Sequence, residues 1–121
     1  MNENILTTVK LFCGITECYP HFDSQILGHI NSVFTILNQL GIGPVKGFVA
    51  DLNSKWDDFF QNKDLQQELV KSYVYLKVKL MFDPPSSSFV LESMKRQVDE
   101  FEWRLNVLVD PEPKEVVNHG S

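Results

Sequence analysis

The stretch that decides the fold runs from Asp64 to Leu108, DLQQELVKSYVYLKVKLMFDPPSSSFVLESMKRQVDEFEWRLNVL. Its apolar positions Leu65, Leu69, Tyr73, Leu76 and Leu80 follow spacings of three and four that only a helix makes continuous. Val70, Val74, Val78 and Met81 form a second stripe on another side. A helix apolar over more surface than one neighbour can cover belongs at the centre of a fold. Asp64 is placed to cap it, with Gln67 as the capping-box partner. Pro84 and Pro85, in FDPPSSS, end it, because proline lacks the N–H a helix interior needs and clashes with the preceding turn. Beyond that stop Leu91, Met94, Val98, Phe101, Leu105 and Leu108 make a narrow stripe, so the two helices are expected to fold back as an antiparallel hairpin.

The preceding half of the chain supplies cover for this hairpin. In ENILTTVKLFC (3–13), Ile5, Val9 and Phe12 share one side, Asn4 or Asn2 can cap the start, and Gly14 can end the helix in the left-handed conformation. The loop GITECYPHFD leads to a second helix, expected to be capped by Asp23, stapled by Phe22 on Leu27 and stopped at Gly41. Ile26, Ile30, Val33, Leu37 and Leu40 line its apolar face, with Leu27 and Phe34 beside it. Gly28, inside this helix, either marks a close approach by another helix or is simply tolerated.

The connection GIGPVKGFVADLNSKWDDFFQNK (41–63) is longer than helical bundles usually need. Its glycines and Pro44 keep the first half from being helical, and Ser54 with Asp57 predicts a cap for a turn or two that gathers Trp56, Phe59 and Phe60. Two readings stay open: a lid over the core, or aromatics that pack on another subunit or partner. In the final helix Phe89, Trp103 and Val107 lie off the main stripe, on the face that carries Glu92, Arg96 and Glu100. They read as isolated surface residues or as a subunit interface, where tryptophan is enriched. Glu92 with Arg96 and Glu100 with Arg104 are four-apart pairs, each worth a few tenths of a kcal/mol when exposed. From Asp110 to Ser121 (DPEPKEVVNHGS) prolines replace core-forming residues, which predicts a flexible tail with Val116 and Val117 as a short anchor on a partner. The fold class is therefore all-α: a small bundle of four main helices over 1–109, a long irregular loop between the second and third, and a tail at 110–121.

The whole chain has 121 residues, one domain's worth of core, and its 43% hydrophobic and 22% charged content is that of a folded protein. Sixteen acidic against eleven basic side chains give a net charge of -5, which argues against a surface that grips nucleic-acid phosphates but not against one that DNA passes. With no charged apolar leader and no apolar run of membrane-spanning length, neither secretion nor membrane insertion is expected. Two cysteines, Cys13 and Cys18, read as free thiols in a reducing compartment.

No recognised constellation supports catalysis. Cys13, Cys18, His21 and Asp23 alone combine metal-ligand chemistry, in a spacing unlike the common zinc patterns; His29 and His119 read as bystanders. Asp57 and Asp58 fit a helix start better than a carboxylate pair, and GIGPVKG lacks the order of a phosphate loop. Lys71, Lys77 and Lys79 are spread around their helix rather than gathered on a DNA-reading face. These observations leave a binding or structural role, with no cofactor.

Two segments carry a more specific likeness. ITECYPHFDSQILGHINSVFTILNQLGIGP (15–44) and VKSYVYLKVKLMFDPPSSSFVLESMKRQVDEFEWRLNV (70–107), above all FDPP at 82–85 and EFEWRLN at 100–106, resemble the head-tail connector, or head completion, proteins of long-tailed bacteriophages of Gram-positive hosts. The resemblance implies a virion protein of four main helices whose subunits join in a ring, commonly of twelve, and which is compatible with a monomer when free. One face would dock on the portal and the other would receive the stopper or tail-completion protein, with DNA passing through the lumen. The location implied is the virion neck, reached through the host cytoplasm during assembly. Trp103 and Phe89 would then lie at or near intersubunit contacts, Trp56, Phe59 and Phe60 on a loop facing a neighbour or the channel, and 110–121 would order against neighbours or the portal. The alternative is a small cytoplasmic helical adaptor that binds one protein partner.

Overall fold

The computed structural model describes residues 3–16, 19–61 and 66–109. They form five helices, α1 (Ile5–Phe12), α2 (Asp23–Gln39), α3 (Trp56–Phe60), α4 (Gln67–Phe82) and α5 (Ser88–Val109), with no strand among the described residues. The fold is all-α, and its four longer helices are the four expected from the apolar spacing.

Helix α4 is the hub, packed against α1, α2 and α5. Val70, Val74 and Val78 from one stripe and Tyr73 from the other are fully buried, each worth roughly 1.5–3 kcal/mol of transfer free energy. The second stripe stops at Val78, since Met81 is exposed. Gln66 stands at the N-cap with no side-chain bond, and the expected cap Asp64 and first stripe residue Leu65 lie outside the described residues. At the other end the Asp83 N–H donates to Lys79 O at 2.8 Å, and the prolines follow. Helix α5 returns with Val98 and Leu105 buried and Leu91, Met94, Phe101 and Leu108 half-buried, the stripe read from the sequence.

Asn4 caps α1 by accepting the Thr7 N–H at 2.8 Å, and Gly14 follows the helix at φ +83°. The start of α2 departs from expectation. Phe22 is the N-cap and Asp23 the first helical residue, with its carboxylate 2.7 Å from Lys10 Nζ. A buried ammonium needs a partner more than an exposed helix end needs a cap, so Asp23 turns toward α1. Lys10 also donates to Tyr19 O at 2.8 Å, tying the loop to α1. Phe22 meets the edge of Phe82, with ring centroids 5.2 Å apart. Gly28 has open space around it, so it is tolerated rather than a point of close approach.

The first half of the long connection is an irregular strap, with turns over 41–46 and extended backbone over 48–51, that runs back along α2. The Asn31 side chain holds it, accepting from Ala50 N at 2.7 Å and donating to Ala50 O at 3.1 Å. Extended backbone alternates its side chains, and here Phe48 and Ala50 turn inward while Val49 and Asp51 turn out. The strap then crosses the start of α1, where Ile5 N donates to Ser54 O and Trp56 N to Glu3 O. The cap of α3 is shifted by one residue from the sequence reading: Asp58 accepts from Lys55 N at 2.8 Å, while Ser54 bonds Asp51.

That shift delivers Trp56, Phe59 and Phe60 into the core, each at most 2% exposed. Phe59 stacks on Phe34 at 4.6 Å, Phe48 meets both edge-on, and the Trp56 indole N–H donates to Thr8 Oγ1 at 2.9 Å. The tight turn at Gly43 lets this happen. Its φ is +94°, and a Cβ there would stand 2.6 Å from the Phe59 ring. Gly43→Ala is therefore expected to destabilise the subunit by more than about 1 kcal/mol, through strain at positive φ and displacement of Phe59. Urea unfolding should show a lower midpoint with an unchanged slope, and Gly28→Ala, with open space at its Cβ, should not share the loss.

Candidate functional site

A helix with one narrow apolar stripe leaves most of its circumference to water, and on α5 that remainder is not uniformly polar. Phe89 is 78% exposed, Trp103 66% and Val107 42%. At 100° per residue all three fall opposite Val98 and Leu105, and Glu92, Arg96 and Glu100 stand among them. Glu100 pairs with Arg104 at 2.7 Å along the same face, an exposed contact of small energetic weight.

The inner side of α5 fixes this face in place. The Tyr73 hydroxyl donates to Glu102 Oε2 at 2.7 Å, and Lys77 Nζ lies 3.8 Å from the same oxygen. Burial and the adjacent Glu102 carboxylate push the Tyr73 phenol pKa far above its ordinary value, so the hydroxyl stays a donor. The bond ties the inner side of α5 to α4. Sequence periodicity missed it, because a glutamate beside Trp103 resembles any other surface charge.

Where α5 ends beside the start of α4, Trp103, Arg104, Val107 and Leu108 face Gln66 and Leu69 across an open groove of about 320 Å³. A smaller groove of about 210 Å³ lies on the other flank of the hairpin, between Phe12, Ser72, Tyr75, Leu76, Gln97 and Phe101. The strap adds exposed Val45, Val49 and Leu52 on another element.

The expected interface residues thus divide. Phe89, Trp103 and Val107 share one exposed face of α5. Trp56, Phe59 and Phe60 do not project: an outward placement is corrected by their burial against Phe34, Phe48 and Thr8, and of the two readings of that loop the lid over the core describes it. Val116 and Val117, with the rest of 110–121, lie outside the described residues. Among the described residues no group of three or more His, Cys, Asp and Glu comes together. Cys13 is buried, which raises its thiol pKa and disfavours the reactive thiolate; Cys18 lies outside the described residues. Asp58 is occupied as a cap, and no described helix is long and apolar enough to cross a membrane.

Comparison with known families matches residues 5–112, nearly the whole chain, to a family model described as phage connector protein. No match to a curated protein or to a solved structure was found.

The Tyr73 bond sets a pH dependence. The folded pKa is raised, so its contribution is full below the unfolded value of about 10 and is lost as pH rises from there toward the folded value. Wild-type stability should fall progressively as pH rises above about 10, and Tyr73→Phe should flatten that fall while costing about 1.5–3 kcal/mol at neutral pH. Urea midpoints at pH 7 and 10.5 test both. Tyr75, whose pKa is also raised by burial, leaves a residual slope in the variant.

Proposed function

The chain belongs to the phage connector protein family, and we propose that it acts at the virion neck as a ring of identical subunits, docked on the portal and receiving the stopper or tail-completion protein. It works by interface geometry and without turnover. The family is one of structural connector proteins and not of enzymes.

The observation that carries the proposal is Trp103. A tryptophan two-thirds exposed, on a helix whose other face already completes the core, gains its value when a neighbour covers it. Phe89 and Val107 widen the same surface. Twelve copies is the ring size this reading carries over from the family resemblance. The net charge of -5 is compatible with DNA sliding through a lumen, since like charge offers phosphates no grip. Free subunits would reach the neck from the host cytoplasm.

Mixing the protein with portal-bearing capsids and imaging the necks by electron microscopy tests the ring: density at the portal vertex is expected, and bare portals under conditions that complete native necks would count against it. Trp103→Ala should lower occupancy by about 30-fold or more, as for an interface hot spot, while shifting subunit stability by less than about 0.5 kcal/mol. Equal losses in assembly and stability would return Trp103 to the subunit's own packing.

A further inference from the structure

We propose that the free protein forms a weak, isologous dimer in which α5 helices from two copies lie antiparallel, each copy's Phe89 seated in the other's groove between α4 and α5. The proposal concerns the free state and does not rest on the ring.

It begins with a protrusion and a recess on one helix. Phe89 stands 78% exposed near the start of α5, and the groove lined by Leu69, Trp103, Val107 and Leu108 opens near its end. At about 1.5 Å per residue the two lie roughly 27 Å apart along the axis, too far for a chain to fill its own groove with its own Phe89. A second copy laid antiparallel reaches it. Two-fold symmetry then makes the contact twice, because each copy offers both halves.

Charge fixes the register. Setting Phe89 of one copy beside Val107 of the other centres the pair of helices on Val98. The same centring brings Arg96 of each copy beside Glu100 of the other. Glu100 already holds Arg104 at 2.7 Å within its own helix, so it would sit between two guanidinium groups. Phe89 and Val107 also share the same angular position on α5, and a two-fold axis perpendicular to antiparallel helices keeps such positions on one side of the contact. A parallel pairing would set each Phe89 against Phe89, away from the groove, and each Arg96 against Arg96.

The groove suits this occupant. Its volume of about 320 Å³ accommodates an aromatic ring, and Leu69, Val107 and Leu108 line it beside the Trp103 indole, with Gln66 and Arg104 as polar groups at its open side that keep access to water. The strap's exposed valines make a poorer match. Val45 and Val49 are aliphatic and flanked by Lys46, and the groove already carries Arg104.

Sedimentation equilibrium from about 1 µM to about 1 mM should show a reversible monomer–dimer equilibrium. Phe89→Ser should weaken it at least tenfold. Arg96→Glu alone should weaken it, and Arg96→Glu combined with Glu100→Arg should restore it. All three residues are solvent-facing, so circular dichroism should stay that of the parent. Covalent trapping fixes the geometry: with Phe89→Cys and Val107→Cys in one chain, mild oxidation should give a closed, doubly linked dimer and no longer products. The unsubstituted chain, which has its own Cys13 and Cys18, is the control. A ladder of trimers and higher species would overturn the isologous arrangement in favour of head-to-tail contacts. A monomer at every concentration, or an Arg96/Glu100 exchange that fails to restore the association, would overturn the dimer itself.

Discussion

Burial of α4 on several sides at once is the constraint on which the rest depends. Val74 and Val78 lie on a different side of α4 from Leu76 and Tyr73, so one hairpin partner does not suffice and α1, α2 and α5 are all recruited. Each recruited helix brings an uncovered side of its own. On α2 that side includes Phe34, and the strap with α3 closes it by stacking Phe59 and packing Phe48 on the ring. On α5 nothing further along the described chain returns to cover the outer face. The exposed aromatics there are the end of a sequence of coverings that began at the hub.

The polar contacts of the interior follow the same logic. Lys10 is drawn inside by the burial of Ile5, Leu6 and Val9 around it, and Asp23 and the Tyr19 carbonyl meet its charge. Trp56 enters with its N–H satisfied by Thr8, and Lys71 lies over its ring, 5.8 Å from the centroid. Tyr73 enters with Glu102 as acceptor. In each case a residue with a long apolar body and a polar tip is buried where a partner from a different helix or loop meets the tip, which costs less than leaving the tip unpaired. These pairings also fix relative helix orientation, which nonpolar packing alone leaves looser.

Much of this was legible in the spacing of apolar residues. The two stripes of α4, the stripe of α5, the face of α2, the proline stop and the Asn4 cap follow from periodicity and local chemistry, which neighbouring residues largely determine. What failed to read locally was decided by distant residues. Asp23 has every local qualification of a cap, but Lys10 lies far enough back in the chain that no window around α2 includes the competition. Ser54 and Asp57 mimic a capping box; the backbone bridge from Ile5 and Glu3 to residues 54 and 56 sets the register and hands the role to Asp58. The strap's alternation spans too few residues to register as a strand pattern, and its partner is an asparagine side chain rather than another strand. For the exposed face, spacing identified Phe89, Trp103 and Val107 as leftovers from the core. It could not find the groove, which needs Leu69 and Gln66 from another helix.

The separation of α5 into two faces has a consequence for how such a surface can be used. Its inner stripe and the Tyr73–Glu102 bond hold the helix without help from Phe89 or Trp103, so binding on the outer face need not be coupled to folding of the subunit. A resting dimer and a ring would draw on the same exposed residues, which makes the two associations mutually exclusive at any one subunit. The outcome is then set by mass action and not by a structural switch. A weak dimer would give way if, as proposed, a portal gathers subunits at high effective concentration, since neighbouring positions on one template convert a bimolecular contact into a local one. A weak free-state contact suits that proposed assembly: a dimer of nanomolar affinity would add about 12 kcal/mol to the cost of opening every pair, against roughly 4 kcal/mol for a millimolar one.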